Sequence, residues 1–205
     1  MFSLQDLLGH EQGAQAVEQI SQNVGANQSA VNSAIQLALP MILSGLARNA
    51  STPQGAQSLN QALEQDHDGG ILDNIGGLGS LIFGGRDSSA QPPPRQADAG
   101  GILGHIFGNN QGQVAQQVSQ NSGLDMGQTA QILMFLAPIV MGYLGRQKQQ
   151  QHLDPDGLSG YLGEQQQQIQ QSPQSDLLGS FLDRDGDGSS MDDIASMAMN
   201  YMRGR

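Results

Sequence analysis

Apolar residues recur at helical spacing in two stretches of this chain. In the first, Ala16, Val17 and Ile20 share one face of a segment from Gln12 to Val24. Val31, Ala34, Ile35, Ala38, Leu39, Ile42 and Leu46 then form a longer apolar stripe. Gly25 between them suits the left-handed residue that ends a helix, and Asn27 suits the N-cap of the next. The second stretch has Gly123 and Asp125 in the corresponding places and a stripe of Ile132, Leu133, Leu136, Val140 and Leu144. The pattern predicts an all-α protein, in which two repeated helix-turn-helix units pack as a small bundle.

The resemblance between the stretches extends to identity. Residues 15–48 align with 113–146 at a constant offset of 98, and nine of the 34 pairs are identical, among them Gly25/Gly123, Pro40/Pro138, Leu46/Leu144 and Arg48/Arg146. Pro40 and Pro138 fall inside the long helices, where proline removes a donor and crowds the preceding turn, so a kink or a break into two helices is expected. A bend that wraps the helix around a small core is preferred to a hinge. Each unit alone buries little, which favours packing of the two helix pairs on each other or on those of a second chain. The boundaries that follow are a first helical repeat at 1–83 and a flexible linker at 84–101 that holds Pro92-Pro93-Pro94. The second repeat occupies 102–205, with a Gln-rich insertion at 147–175, inside which Asp154 and Pro155 would open a short helix.

Composition explains why linkers are needed. Leu, Ile, Val and Phe number 46 of 205 residues, while Gln (31) and Gly (28) exceed a quarter of the chain. So few large apolar residues suffice only if they are concentrated, as they are in the two helix pairs. The net charge of −11, with 8 basic and 19 acidic residues, repels phosphate backbones, so no nucleic-acid partner is expected. Cysteine is absent, which removes disulfides and thiolate metal sites. Met126 to Gly145 carries no charge, but its strongly apolar part is short, and it reads as a buried helix rather than a membrane span. The acidic N-terminal start does not resemble a signal peptide, so the cytoplasm is the default compartment. Membrane-surface binding through Phe2, Leu4, Leu7, Leu8 and the C-terminal methionines lacks the basic face it would need.

Part of the acidity is patterned. Asp183, Asp185 and Asp187 alternate ahead of Gly188, which is how a calcium loop brings ligands one, three and five to one point. Ser189 could add a backbone carbonyl, and Asp192 and Asp193 stand one or two places before the closing position, which Ile194 occupies. A weaker copy lies 119 residues earlier, with Glu64, Asp66, Asp68 and Asp73 interleaved by Gln65 and His67. Calcium is the one cofactor this pattern suits, with affinity roughly in the 10⁻⁴ to 10⁻³ M class. The same residues also suit Asp-Gly turns that cap the following helices, and both readings stand.

The blocks "ALPMILSGLARNAS" (38–51), "LEQDHDGGILDNIGG" (63–77), "GGILGHIFG" (100–108), "LAPIVMGYLGRQ" (136–147) and "FLDRDGDGSSMDDIASM" (181–197) resemble a bacterial family catalogued only as a domain of unknown function, number 937. That resemblance implies a small, Gly- and Gln-rich helical protein and brings no activity, substrate or catalytic residue with it. His10, His67, His105 and His152 are the sole neutral-pH general-base candidates. His10 and His105 both follow a Leu-Gly pair, which equivalent turns explain as well as a paired site does. No nucleophile elbow, phosphate loop, dinucleotide fingerprint or zinc-protease motif occurs, and an enzyme is not expected. Two readings remain: a calcium-binding helical module that self-associates or holds a partner, and a metal-independent protein–protein interaction or scaffold protein whose acidic loops are only caps.

Overall fold

The computed structural model describes residues 3–83 and 98–170, and helices account for almost all of them. In chain order these are α1 (Leu4–Leu8), α2 (His10–Val24), α3 (Gln28–Ala50), α4 (Pro53–Gln65), α5 (Leu78–Phe83), α6 (Ala99–Phe107), α7 (Gln111–Ser122), α8 (Met126–Gln151) and α9 (Pro155–Gln170). A 3-10 stretch at Gly70–Gly77 joins α4 to α5. There is no strand among the described residues, and the fold is all-α.

Local chemistry sets the helix ends. Gly25 (φ 68°) and Gly123 (φ 76°) take the left-handed conformation, their N–H groups donating to Ser21 and Ser119 carbonyls at 3.0 and 3.2 Å. The side chain of Asn27 then accepts from Ala30 N–H, and that of Asp125 from Gln128 N–H, both at 2.8 Å. Asp6 completes a capping box with Ser3 at the start of α1. Asp154 caps α9 through Gly157 N–H at 2.7 Å, with Pro155 in the first helical position.

α3 and α8 each run unbroken through Pro40 and Pro138, so of the two outcomes expected there, a kink or a break, the break does not occur. An interior proline costs about 3 kcal/mol. Burying one Leu, Ile or Met side chain returns about 1.5–3 kcal/mol, and beyond Pro40 the chain buries Met41, Ile42, Leu43 and Leu46. A break would expose them, and that loss exceeds the missing hydrogen bond.

Both helices are long and apolar enough to cross a membrane by length and composition, yet 72% and 67% of their most apolar windows are buried inside this fold. They pack on each other, α3 also packs on α7, and Gln128 Nε2 reaches the Val24 carbonyl of the other pair at 3.5 Å. The helix pairs therefore share one core within a unit that extends to Gln166. A second unit begins at Gln167, and only the end of α9 is described in it.

Three boundaries differ from the expected ones. α2 begins at His10, two residues before Gln12, and α6 begins at Ala99, inside the stretch assigned to the linker. The Gln-rich insertion is largely helical, because α8 runs to Gln151 and α9 carries its glutamines through Gln170. Glutamine is a good helix former, and low complexity alone does not oppose a helix.

A shared core makes one prediction. Leu39 is fully buried, and Leu39→Ala should lower the unfolding free energy by about 2–5 kcal/mol in a single cooperative transition. Denaturant unfolding followed by circular dichroism checks it, and two separable transitions would contradict a common core.

Candidate functional site

Residues 64–77 lie across the C-terminal turns of α8, and the contacts begin with charge. The Glu64 carboxylate, at the end of α4, accepts from Lys148 Nζ at 2.8 Å and from Asn60 Nδ2 at 3.1 Å. The Lys148 hydrogen bond first, then that of Asn60 and the Lys148 charge, hold the Glu64 pKa below the usual carboxylate range. Asp73 pairs with the Arg146 guanidinium, and Gln149 Nε2 donates to the Asp68 carbonyl at 3.0 Å. Lys148 also lies in the last turn of α8, where a cation is favoured by the helix dipole.

Close backbone approach completes the seat. A Cβ on Gly145 would overlap the His67 carbonyl, and one on Gly142 would come within 2.8 Å of Ile71 Cγ2. Gly69 adopts φ 98°, which an L side chain rarely does, and Asp68 Oδ1 accepts from Gly70 N–H at 2.9 Å to hold the turn. Ile71, Leu72 and Ile75 are buried behind it. His67 is buried with 5% of its surface exposed, and its Nδ1 finds no hydrogen-bond partner among the described residues. Burial lowers its pKa, against the opposing charges of Asp66 and Asp68.

The four carboxylates of the earlier acidic loop are thus placed, but not together. Glu64 and Asp73 face cations on α8, Asp68 closes its own turn, and Asp66 ends α4 with its N–H on the Ala62 carbonyl at 3.0 Å. Among the described residues, no group of three or more histidines and carboxylates is arranged to hold a metal ion. Asp183, Asp185, Asp187, Ser189, Asp192 and Asp193 lie outside the described residues. His10 opens α2, whereas His105 sits inside α6, so the two Leu-Gly-His segments do not occupy equivalent turns. Leu4, one of the residues considered for membrane contact, is buried.

Sequence reasoning missed the receiving side of this contact. Arg146 and Lys148 are two of only eight basic residues in the chain, and Gly142 and Gly145 stand three apart on the same helix. Residues three apart share a helix face, so these two glycines leave room there for another backbone, with Arg146 and Lys148 just beyond.

The arrangement defines an all-α bundle of helix pairs with an acidic segment folded onto its own core. The chain belongs to a family described as bacterial protein of unknown function (DUF937), which matches residues 6–147, from within α1 to the last turns of α8. The match includes the 64–77 segment and its seat and ends before α9 and the later acidic stretch. No curated protein and no solved structure matches the chain.

The seat gives a second prediction. Gly145→Ala forces the His67 backbone away from α8 and should cost about 1–3 kcal/mol, the usual range for overpacking. A lowered thermal midpoint, with amide exchange accelerated first in residues 66–77, would agree; an unchanged midpoint would not.

Proposed function

We propose that this protein is a non-catalytic, metal-independent helical module that acts through protein–protein contact, either with itself or with another protein. Residues 64–77 serve it as an internal clasp. The observation that carries this reading is the disposition of the early acidic residues. Glu64 and Asp73 are engaged by Lys148 and Arg146, and Asp68 by its own turn, which leaves them arranged as a docking surface for α8. The sequence, with no nucleophile or phosphate-binding motif, supports the non-catalytic part.

A second reading is favoured by one sequence feature, the alternation Asp183, Asp185, Asp187 before Gly188. On it the later loop binds Ca²⁺ weakly, with Asp192 and Asp193 helping to close the site. Calorimetric titration of the full chain with Ca²⁺ separates the two, with solution mass measured with and without the ion. The clasp reading expects no heat and no change in melting temperature or mass. Heat that disappears in Asp185→Ala plus Asp187→Ala would establish the second reading. Heat that disappears in Glu64→Ala plus Asp73→Ala would overturn the first.

A further inference from the structure

The shared core is assembled from two stretches of chain. Residues 3–83 supply α1 to α5, residues 98–166 supply α6 to α8 with most of α9, and residues 84–97 are the one covalent connection between these halves. The contacts that make the core run between the halves: α3 packs on α7 and α8, while α4 and the Gly70–Gly77 stretch pack on α8. Each half completes the other.

We propose that two copies of this chain exchange these halves. In the exchanged pair, α3 of each copy packs on α7 and α8 of the other, and residues 64–77 of each copy clasp the other's α8. The inference names a second copy as the partner in the protein–protein reading above, and it rests on the clasp described there.

The surface and the charge together favour this route over pairing of whole molecules. A standard interface removes about 800 Å² from each partner and has an apolar centre. Among the described residues, Leu81 and Met126 are the large apolar side chains left exposed, and together they fall far short of that area. Two copies that each carry a net charge of −11 also repel one another, so they need an extensive apolar contact to stay together. That contact already exists between the halves. Exchange rebuilds it between copies with no new surface, because every helix finds the neighbour that it has within the single chain.

The balance between one chain folding alone and two exchanging halves is set by residues 84–97. A short flexible connection presents one half to the other at an effective concentration in the millimolar range. Here the connection includes Pro92, Pro93 and Pro94, whose rings fix three successive φ angles and narrow the conformations open to the chain. A chain with fewer ways to turn back meets its own other half less often, and a second copy competes more effectively.

The Glu64–Lys148 pair provides the test. Lys148 is the only lysine in the sequence, and its Nζ lies 2.8 Å from the half-exposed carboxylate of Glu64 in the opposite half. A zero-length carbodiimide reagent should therefore join the two as an amide, and Glu64→Gln should abolish that product. Unlabelled and ¹⁵N-labelled full-length chains are unfolded together, refolded at about 10 μM and at about 1 mM, on either side of the concentration where exchange competes, and then cross-linked and digested. Mass spectrometry weighs the joined Glu64–Lys148 peptide. Exchange expects peptides with one light and one heavy arm, from a species of twice the chain mass, and their share should rise by more than about tenfold between the two concentrations. If every joined peptide is wholly light or wholly heavy at both concentrations, exchange is overturned and the clasp stands, even where the protein dimerises through another surface. If Lys148 joins other carboxylates instead of Glu64, the clasp reading fails and exchange fails with it.

Discussion

The burial of α3 and α8 on nearly every side is the constraint on which the rest of this structure depends. Only 46 of 205 residues are large and apolar, too few for two independent interiors at ordinary packing density. Placing both long helices at the centre lets each serve as the other's core. That arrangement explains why interior prolines are tolerated, since a helix held by buried neighbours along its length loses one hydrogen bond and little packing. It also explains the polar helices around them. α2 and α7 present a narrow apolar face, Ala16, Val17 and Ile20 in one and Val114, Ala115 and Val118 in the other, and leave glutamine and asparagine to solvent.

The same economy decides what holds the acidic segment. Its ion pairs are the obvious feature, yet Glu64 and Asp73 are 53% and 72% exposed, and pairs so open to water are weakened by solvent and salt. Ile71, Leu72 and Ile75 are buried, and their removal from water supplies most of the attraction. The charges choose register more than strength: Arg146 and Lys148 meet Asp73 and Glu64 at opposite ends of the segment. Between those ends lies backbone against glycine, which allows only one depth of approach.

Much of this was legible in the sequence, and the reasons for the rest are specific. The helix pairs, their glycine stops and their Asn27 and Asp125 caps could be read because each depends on residues a few positions apart. The contact of residues 64–77 with α8 could not, since Glu64 and Lys148 are 84 positions apart and nothing local in an Asp-rich loop distinguishes an ion site from a partner for distant cations. His67 stood in the sequence as one histidine among four, and nothing local foretold that its carbonyl would press against Gly145. The glutamines from Gln165 to Gln170 were misjudged for the opposite reason: composition suggested a linker where propensity permits a helix.

One difference between the halves shows how little sequence change redirects a contact. At the offset that matches Pro40 with Pro138, the α8 glycines Gly142 and Gly145 correspond to Ser44 and Ala47 on α3. Both α3 residues carry a Cβ, so α3 cannot accept a backbone at the depth at which α8 accepts His67. Its own close approach is at Gly45, one position along, where a Cβ would lie 2.6 Å from Ile106 Cγ2 and 3.2 Å from the Ile106 carbonyl. One residue on an α-helix is a rotation of about 100°. The glycine of α3 therefore opens toward α6, which Asn49 Nδ2 secures through the His105 carbonyl at 2.6 Å, while the glycines of α8 open toward the acidic segment. Two helices with matching caps and prolines thus admit different neighbours because the absence of a side chain falls on different faces.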